Sequence, residues 1–402
     1  MKKKIVIVAA IALAVVLIVG GVLLFTPSKN FTVAFYKIDD KQRQGITDVI
    51  NKIAEDSKFS ISYIQYDSEK SLNSQLPLTK KPSVLITTAG HGAESAVSKV
   101  SKKVSIPSEI TQGMTSSMRS ALKSVDNRII AVPFLSSHLE IDVDLTEFRN
   151  STITQINTWN DVEKFMREQK RKKDSPMIFA GGNPDFLLDF AGAFAESLDG
   201  VSSYQAAAKI LKQNENSFNA VKVAVALCDE PDSPLATTIK QLKSWYRLGF
   251  IHPGVFSLQK NDVEAFASSR LASILSMSLE THRDFAQNTI SRYSSVYFPS
   301  EHGANSRIFT GKTYYAVQMA KSESAQKLIS ALLSTEIQET LSRATGVAPV
   351  LAQCRTPDKQ ADDARYWIAA TTAPLAGLSN EIYLSKADKS ALAAEIAARI
   401  RN

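Results

Sequence analysis

Side chains that could bind a polyhydroxylated molecule follow the predicted strands of this chain. The candidates are Tyr36, His91, Phe134, His138, Asn183, Asp185 and Glu280. An aromatic face can pack on the C–H surface of a sugar, while carboxylates and amides hydrogen-bond its hydroxyl groups. This mixture predicts a site for a carbohydrate or another small polar solute.

Each candidate also has a purely structural alternative. The two aromatic residues could pack in a core or at the edge of a domain, and the two histidines could lie exposed in loops. Asn183 and Asp185 could shape a turn and cap the next helix. Glu280 could pair with Arg283 one helical turn later. The fold must therefore decide which of these side chains meet.

The elements that would position these residues alternate between strands and helices. The runs at 31–36, 83–87 and 128–132 are rich in apolar and β-branched residues, and each leads toward a helical pattern. This alternation predicts an α/β fold with a largely parallel sheet. Residues 139–145 alternate strictly between apolar and polar types, which predicts a half-exposed strand beginning a second lobe. Thr158 and Asp161 have the spacing of a capping box at a helix start.

The first residues of the chain favour a membrane anchor. Three lysines at positions 2–4 precede an apolar run over 5–25, which at about 1.5 Å per residue is long enough for roughly 30 Å of hydrocarbon. No Ala-x-Ala cleavage pattern or lipid-bearing cysteine follows the run. We expect one uncleaved transmembrane helix, with the remaining chain on the periplasmic or extracellular side. The alternative is a long signal peptide that is cleaved.

The composition limits the function further. A net charge of +7, with three of those charges before the apolar run, gives no reason to expect a nucleic acid partner. No Cys/His cluster has metal-ligand spacing, so we expect neither a metal nor another cofactor. The two cysteines, Cys228 and Cys354, could form a disulfide in an oxidising compartment. No Gly-x-Ser-x-Gly nucleophile motif occurs, and we do not expect an enzyme.

Several motifs, taken in order, resemble the family 1 extracellular solute-binding proteins, which are maltose-binding-like receptors of ABC importers. The resemblance depends on the segments at 106–110, 130–134, 158–162, 242–251, 266–274 and 346–350. It covers most of the chain after the anchor. Ser268 and Ser269 depart from the family's usual glycine, and residues 139–145 replace its usual aromatic–tyrosine–asparagine segment.

The resemblance implies a two-lobe periplasmic-binding-protein fold, type II-like, with a cleft between the lobes and one transmembrane helix before them. By position, residues 1–29 form the anchor or signal segment. The first lobe comprises 31–134 plus 272–313, and the second comprises 137–270 plus 315–402. Trp367 joins the candidate ligand-binding residues because family members often place a stacking aromatic in this region.

The function implied is that of a monomeric receptor that traps a carbohydrate or small polar solute by lobe closure and delivers it to ABC permease subunits. The alternative is a membrane-tethered interaction or sensory protein that keeps the fold without transport. The predicted anchor and the departures from the family motifs both motivate this alternative.

Overall fold

The computed structural model describes residues 31–77, 81–302, 308–356, 358–371 and 374–402. The membrane helix predicted over 5–25 lies outside these residues. Within them, none of the helices combines the length and the apolar character needed to cross a bilayer.

Eleven strands form two sheets in the part of the chain that the structure describes. The strands are β1 (Phe31–Tyr36), β2 (Ile61–Gln65), β3 (Val84–Thr88), β4 (Lys123–Val125), β5 (Arg128–Ser136), β6 (Leu139–Asp144), β7 (Met177–Phe179), β8 (Ile274–Ser278), β9 (Tyr293–Val296), β10 (Thr313–Gln318) and β11 (Ala348–Pro349). We call the part built on the larger sheet the first lobe and the part built on the smaller sheet the second lobe.

Helices cover both sheets. They are α1 (Asp40–Ser57), α2 (Leu72–Gln75), α3 (His91–Ser98), α4 (Ser116–Ser120), α5 (Leu145–Arg149), α6 (Trp159–Gln169), α7 (Pro184–Asp199), α8 (Val201–Asn214), α9 (Ala220–Cys228), α10 (Ala236–Arg247), α11 (Lys260–Ser268), α12 (Leu279–Asp284), α13 (Gln287–Ile290), α14 (Glu323–Leu332), α15 (Thr335–Thr345), α16 (Lys359–Ala370), α17 (Leu378–Glu381) and α18 (Lys386–Arg401). Short 3-10 turns occur at Ser108–Thr111, Glu215–Ser217 and Val255–Ser257.

The larger sheet has the order β11-β5-β10-β3-β1-β2, with β4 paired to β5. Strand β1 runs parallel to β2 and β3, whereas β10 runs antiparallel to β3 and β5. Side chains of β1 alternate between two apolar clusters: Val33 and Phe35 belong to one, and Ala34 and Tyr36 to the other. A strand buried on both faces reads as a continuous apolar run, which is why this element is recognisable in the sequence.

The smaller sheet has the order β7-β8-β6-β9. Strand β6 begins this sheet as predicted, but the expectation that it would be half exposed is wrong. All six of its residues are buried, because β6 lies between β8 and β9 and helix α12 brings His282 against its acidic face. The alternating apolar and acidic residues of β6 therefore lie on opposite faces of the strand, and both faces are buried.

The segment boundaries predicted for the two lobes need correction. Strand β8 falls in the segment 272–313, which was assigned to the first lobe, but it pairs with β6 and β7 in the second. Strand β10 lies inside the larger sheet, and helices α14 and α15 pack in the first-lobe core. Helices α17 and α18, at the end of the predicted segment 315–402, do pack in the second-lobe core. The apolar pattern of a strand does not indicate which of the two sheets the strand joins.

In the described part of the chain, three segments connect the lobes. Residues 137–138 link β5 to β6, the segment before β10 returns, and the segment after α16 leads to α17. The first two are joined by backbone hydrogen bonds from Ser137 N to Lys312 O (2.8 Å) and from Leu139 N to Thr310 O (2.9 Å). A Cβ on Gly311 would lie 2.5 Å from the Ser137 carbonyl oxygen, so the close approach of these crossings requires glycine.

The two lobes have separate apolar cores. Trp159 begins α6 in the second-lobe core, and the capping box predicted for Thr158 and Asp161 is present. Both cysteines are free and buried, with Cys228 in the second-lobe core and Cys354 in the first. The possible disulfide between them is therefore absent.

Candidate functional site

A cavity of about 380 Å³ lies between the lobes, beside the crossings. It is small for a ligand pocket, since such pockets usually occupy roughly 300–1,000 Å³. Its walls come from the segments that follow β1, β7 and β8, together with the first two crossings. Residues beyond the carboxyl ends of strands commonly bind ligands in α/β sheets. We call this cavity the cleft.

The first-lobe wall of the cleft is charged. Asp39 precedes α1, and Lys41 and Gln42 lie in its first turn. Lys312, on the second crossing, places its Nζ 2.6 Å from Asp39 Oδ2. This ammonium group lowers the pKa of the Asp39 carboxyl below its ordinary value.

The second-lobe wall begins with α7. Asn183 caps this helix, and its Oδ1 accepts hydrogen bonds from the backbone N–H groups of Asp185 (3.0 Å) and Phe186 (3.3 Å). Lys389 from α18 donates to Asp185 Oδ1 at 2.6 Å. Phe186 adds an apolar ring to a largely polar wall.

Helix α12 supplies the other side of the second-lobe wall. The hydroxyl of Ser137, on the first crossing, donates a hydrogen bond to Glu280 Oε2. Asp284 pairs with Lys41 from the first lobe and with Lys260 at 2.5 Å. The Lys41–Asp284 ion pair thus joins the two lobes across the cleft.

Asp189, one turn further along α7, is a buried carboxylate at the cleft wall. Burial raises its pKa to about 7, although its Oδ1 accepts a hydrogen bond from Ser379 N at 2.8 Å. Gly377 lies so close that a Cβ there would come within 2.5 Å of the carboxylate. Asp189 can therefore change charge near neutral pH.

Lys37 lies at the edge of the same charged region and was not predicted. It follows β1 in the left-handed conformation, with φ 54°. Its Nζ is buried and has no hydrogen-bond partner among the residues that the structure describes. Burial lowers its pKa to about 8, and the charges of Lys389 and Asp185 also act on it. An amine that loses its proton so readily is unusual for lysine.

Four predicted site residues line the cleft: His138, Asn183, Asp185 and Glu280. Each of them follows the carboxyl end of a strand, so the strand pattern of the sequence was enough to predict that they line the cleft. The expected pairing of Glu280 with Arg283 does not occur, since Arg283 instead pairs with Asp358 at 2.5 Å. Asn183 both lines the cleft and caps its helix.

The other four predicted residues lie outside the lining of the cleft. Tyr36 is buried in the first lobe, where its hydroxyl donates to Lys70 O at 3.0 Å, and Phe134 is fully buried in the core. His91 is buried where the lobes meet, with Nδ1 3.3 Å from Glu215 Oε1. The buried Trp367 packs its ring 4.6 Å from that of His138 and supports the cleft from behind.

The charged residues of the cleft other than Asp185 and Glu280 were missed. They are Asp39, Lys41, Asp189, Lys260, Asp284 and Lys312. Asp39 and Lys41 follow β1 within a few residues. The criterion that predicted Tyr36, its position at the end of a strand, could therefore have predicted them as well. Lys260, at the start of α11, carries no comparable signal.

Solved structures share this fold, although neither a protein-family model nor a curated protein sequence matches the chain. The bacterial solute receptor AcbH, described as exclusively preferring β-D-galactopyranose, has 11% sequence identity and a TM-score of 0.67. The match covers 93% of this chain and 99% of AcbH. The binding protein MsmE from Bacillus subtilis, in an open conformation, has 15% identity and a TM-score of 0.67, over 92% of this chain and 93% of MsmE.

An extracellular solute-binding protein from Staphylococcus aureus, in complex with maltose, is similar as well. It has 12% identity and a TM-score of 0.58, and the match covers 92% of this chain and 97% of that protein. At these identities the similarity establishes the fold. The two-lobe α/β fold predicted from the sequence motifs is confirmed.

Proposed function

We propose that this protein is an extracytoplasmic receptor for a small neutral carbohydrate, which it binds in the cleft and delivers to an ABC importer. The observation that carries the proposal is the cleft itself, whose polar walls come from both lobes and from the crossings between them. A solute held there would contact both lobes at once, so binding would favour the closed arrangement.

The charge balance of the cleft favours a neutral solute. Asp39, Asp185 and Asp284 are each paired with at least one lysine. Among the described residues, Glu280 and Asp189 have no ion-pair partner, and both remain able to accept hydrogen bonds. Sugar hydroxyls are donors that suit such carboxylates. A strongly charged solute would have to disrupt existing pairs.

The aromatic surface of the cleft is small. Phe186 offers one ring, and this ring is stacked on Phe190 with centroids 5.8 Å apart. A single aromatic face suits one sugar ring. Together with the limited volume, this favours a monosaccharide or disaccharide over a long oligosaccharide.

The similar structures support the same class of ligand, since AcbH is described with galactopyranose and the S. aureus protein with maltose. We further propose a monomeric binding protein without enzymatic activity, held at the membrane by the apolar segment at 5–25 and working with permease subunits. The supporting observations are the fold and the sequence of that segment.

A thermal-shift experiment on the full-length chain in detergent tests the proposal. Galactose and maltose are the first probes, followed by other monosaccharides, disaccharides, polyols, amino acids and short peptides. A solute at about 100 times its dissociation constant should stabilise the protein by roughly 2.7 kcal/mol. Small-angle scattering should then show a smaller radius of gyration with the solute bound.

Substitution separates cleft binding from other stabilisation. Glu280→Ala should weaken binding by about 10- to 100-fold, because it removes a charged hydrogen-bond acceptor. Glu55→Ala, on the exposed far end of α1, should bind as the unmodified protein does. If no solute in the panel stabilises the chain, the receptor proposal fails, and the interaction or sensory alternative becomes the better explanation.

A further inference from the structure

Behind the cleft wall, the second lobe buries a cluster of two carboxylates and two imidazoles. Glu140 and Asp142 lie on the acidic face of β6, His282 lies on α12, and His138 lies on the first crossing. Each of the four is at most 2% exposed. His138 also lines the cleft, so it lies between the cleft and the other three.

The polar atoms of this cluster are close together. His282 Nδ1 is 2.9 Å from Glu140 Oε2 and 3.1 Å from Asp142 Oδ1. His138 Nε2 is 3.2 Å from Glu140 Oε1. One ligand atom from each of Glu140, Asp142 and His282 can be chosen so that all three lie within 4.8 Å of one another.

Protein hydrogen bonds do not satisfy this cluster. The one hydrogen bond at Nδ1 of His282 is with Glu140 Oε2, and both oxygens of Asp142 have no hydrogen-bond partner among the described residues. Glu140 Oε1 and His138 Nε2 are close but not aligned for a hydrogen bond. Buried carboxylate oxygens without partners cost several kcal/mol, so such groups are usually paired or bind metal.

We propose that Glu140, Asp142 and His282 bind a divalent transition-metal ion, with zinc as the best match. Bonds of about 2.0–2.1 Å in a tetrahedral site separate neighbouring ligand atoms by about 3.3–3.5 Å. The contacts at His282 Nδ1 need to widen by only a few tenths of an ångström to reach this spacing. Two carboxylates and one divalent ion also leave the buried site neutral.

The donor set selects the kind of metal. An imidazole nitrogen suits zinc, iron, nickel or copper, whereas calcium and magnesium prefer six or more oxygen ligands. Three protein donors leave one tetrahedral position open. His138 is a further donor beside Glu140, and its place at the cleft wall gives the ion a route from solvent. The ion would tie β6 to α12, the helix that carries Glu280.

Metal analysis of the full-length protein, purified without chelator and without a histidine tag, tests this site. Elemental analysis should find close to one equivalent of zinc per chain after equilibration with zinc and gel filtration. The chelated protein should melt at a lower temperature, and added zinc should restore the melting temperature. Cobalt in place of zinc should produce the visible absorption of a tetrahedral site.

Two variants locate the site. Asp142→Asn and His282→Gln should each weaken zinc binding by about 100-fold or more, since each removes a direct ligand. The control is Glu196→Gln, which changes another buried carboxylate of the same lobe and should retain one equivalent. Circular dichroism of the chelated proteins shows whether each variant folds.

Two results would overturn the proposal. One is a folded, chelated protein that binds no zinc, manganese or cobalt at millimolar concentration. The other is zinc bound equally well by folded Asp142→Asn, which would place the metal elsewhere on the chain. Neither result bears on sugar binding, so the receptor proposal is tested separately.

Discussion

The second lobe buries two pairs of carboxylates, and it compensates them in different ways. Asp189 and Glu196 lie on α7, where burial raises the pKa of each to about 7. Glu140 and Asp142 lie on β6 beside His138 and His282. Burial alone would raise the pKa of Glu140, but the two histidines beside it lower this pKa to about 2.

The two pairs of carboxylates represent two solutions to the same physical problem. A carboxylate removed from water must either bind a proton or have positive charge beside it. The pair on α7 has backbone and hydroxyl donors, from Ser379 and Thr310, and becomes neutral by protonation. On β6, Glu140 stays ionised and needs positive charge beside it, whereas burial raises the pKa of Asp142 to about 6. We therefore expect a protonated buried carboxyl such as Glu196 to tolerate an amide substitution and an ionised one such as Glu140 not to tolerate it.

The largest expected effect comes from Glu140→Gln. The substitution removes the ionised partner of two buried imidazoles, and breaking a buried ion pair from one side usually costs about 3–5 kcal/mol. Urea unfolding at pH 7 in the presence of a chelator measures this loss. The matched change Glu196→Gln should cost less than about 1 kcal/mol, because glutamine can still accept from Thr310. Equal losses in the two variants would refute the distinction.

A smaller effect should appear in the pH dependence of Asp189→Asn. The folded pKa of Asp189 is raised from 3.8 to about 7, so the folded state binds more protons than the unfolded state between about pH 4 and 7. Its contribution to stability therefore falls as pH rises through this window and is constant above it. Asparagine cannot ionise, and it still accepts from Ser379 N.

Relative to the unmodified protein, Asp189→Asn should gain on the order of 2–3 kcal/mol between pH 5 and pH 8. Urea unfolding at these two pH values measures the difference. Asp232→Asn, at an exposed position, provides the reference for the same chemical change. The opposite result is a difference in stability between Asp189→Asn and the unmodified protein that is the same at both pH values. This result would mean that Asp189 is ionised throughout this range and would contradict the prediction.

Part of the fold and part of the cleft could be predicted from the sequence. The helix at Trp159–Gln169 and the strand β6 were predicted because capping and alternation are local signals. The cleft residues Asn183 and Glu280 were predicted because each directly follows a strand. Tyr36 and Phe134 were placed wrongly, because successive side chains of a strand point to opposite faces. Which of these faces borders the cleft depends on the assembled sheets.

The cluster on β6 could not be predicted from the sequence. His282 is 142 residues away from Glu140, and metal-site patterns depend on short spacings between ligands. The alternation of β6 identified its acidic residues but assigned them to solvent. Only the antiparallel pairing of β6 with β8, which precedes α12 directly, brings His282 to this face.

The smallest effect should come from Lys41→Ala, which removes the ion pair that crosses the cleft. The Lys41 side chain is 52% exposed, and Asp284 keeps Lys260 as a second partner at 2.5 Å. Exposed pairs of this kind contribute about 1 kcal/mol or less. Urea unfolding should therefore change little, and raising the salt concentration should reduce the change further. A loss above about 2 kcal/mol would show that this contact locks the lobes together, whereas a small loss fits a cleft whose walls must separate to admit a solute.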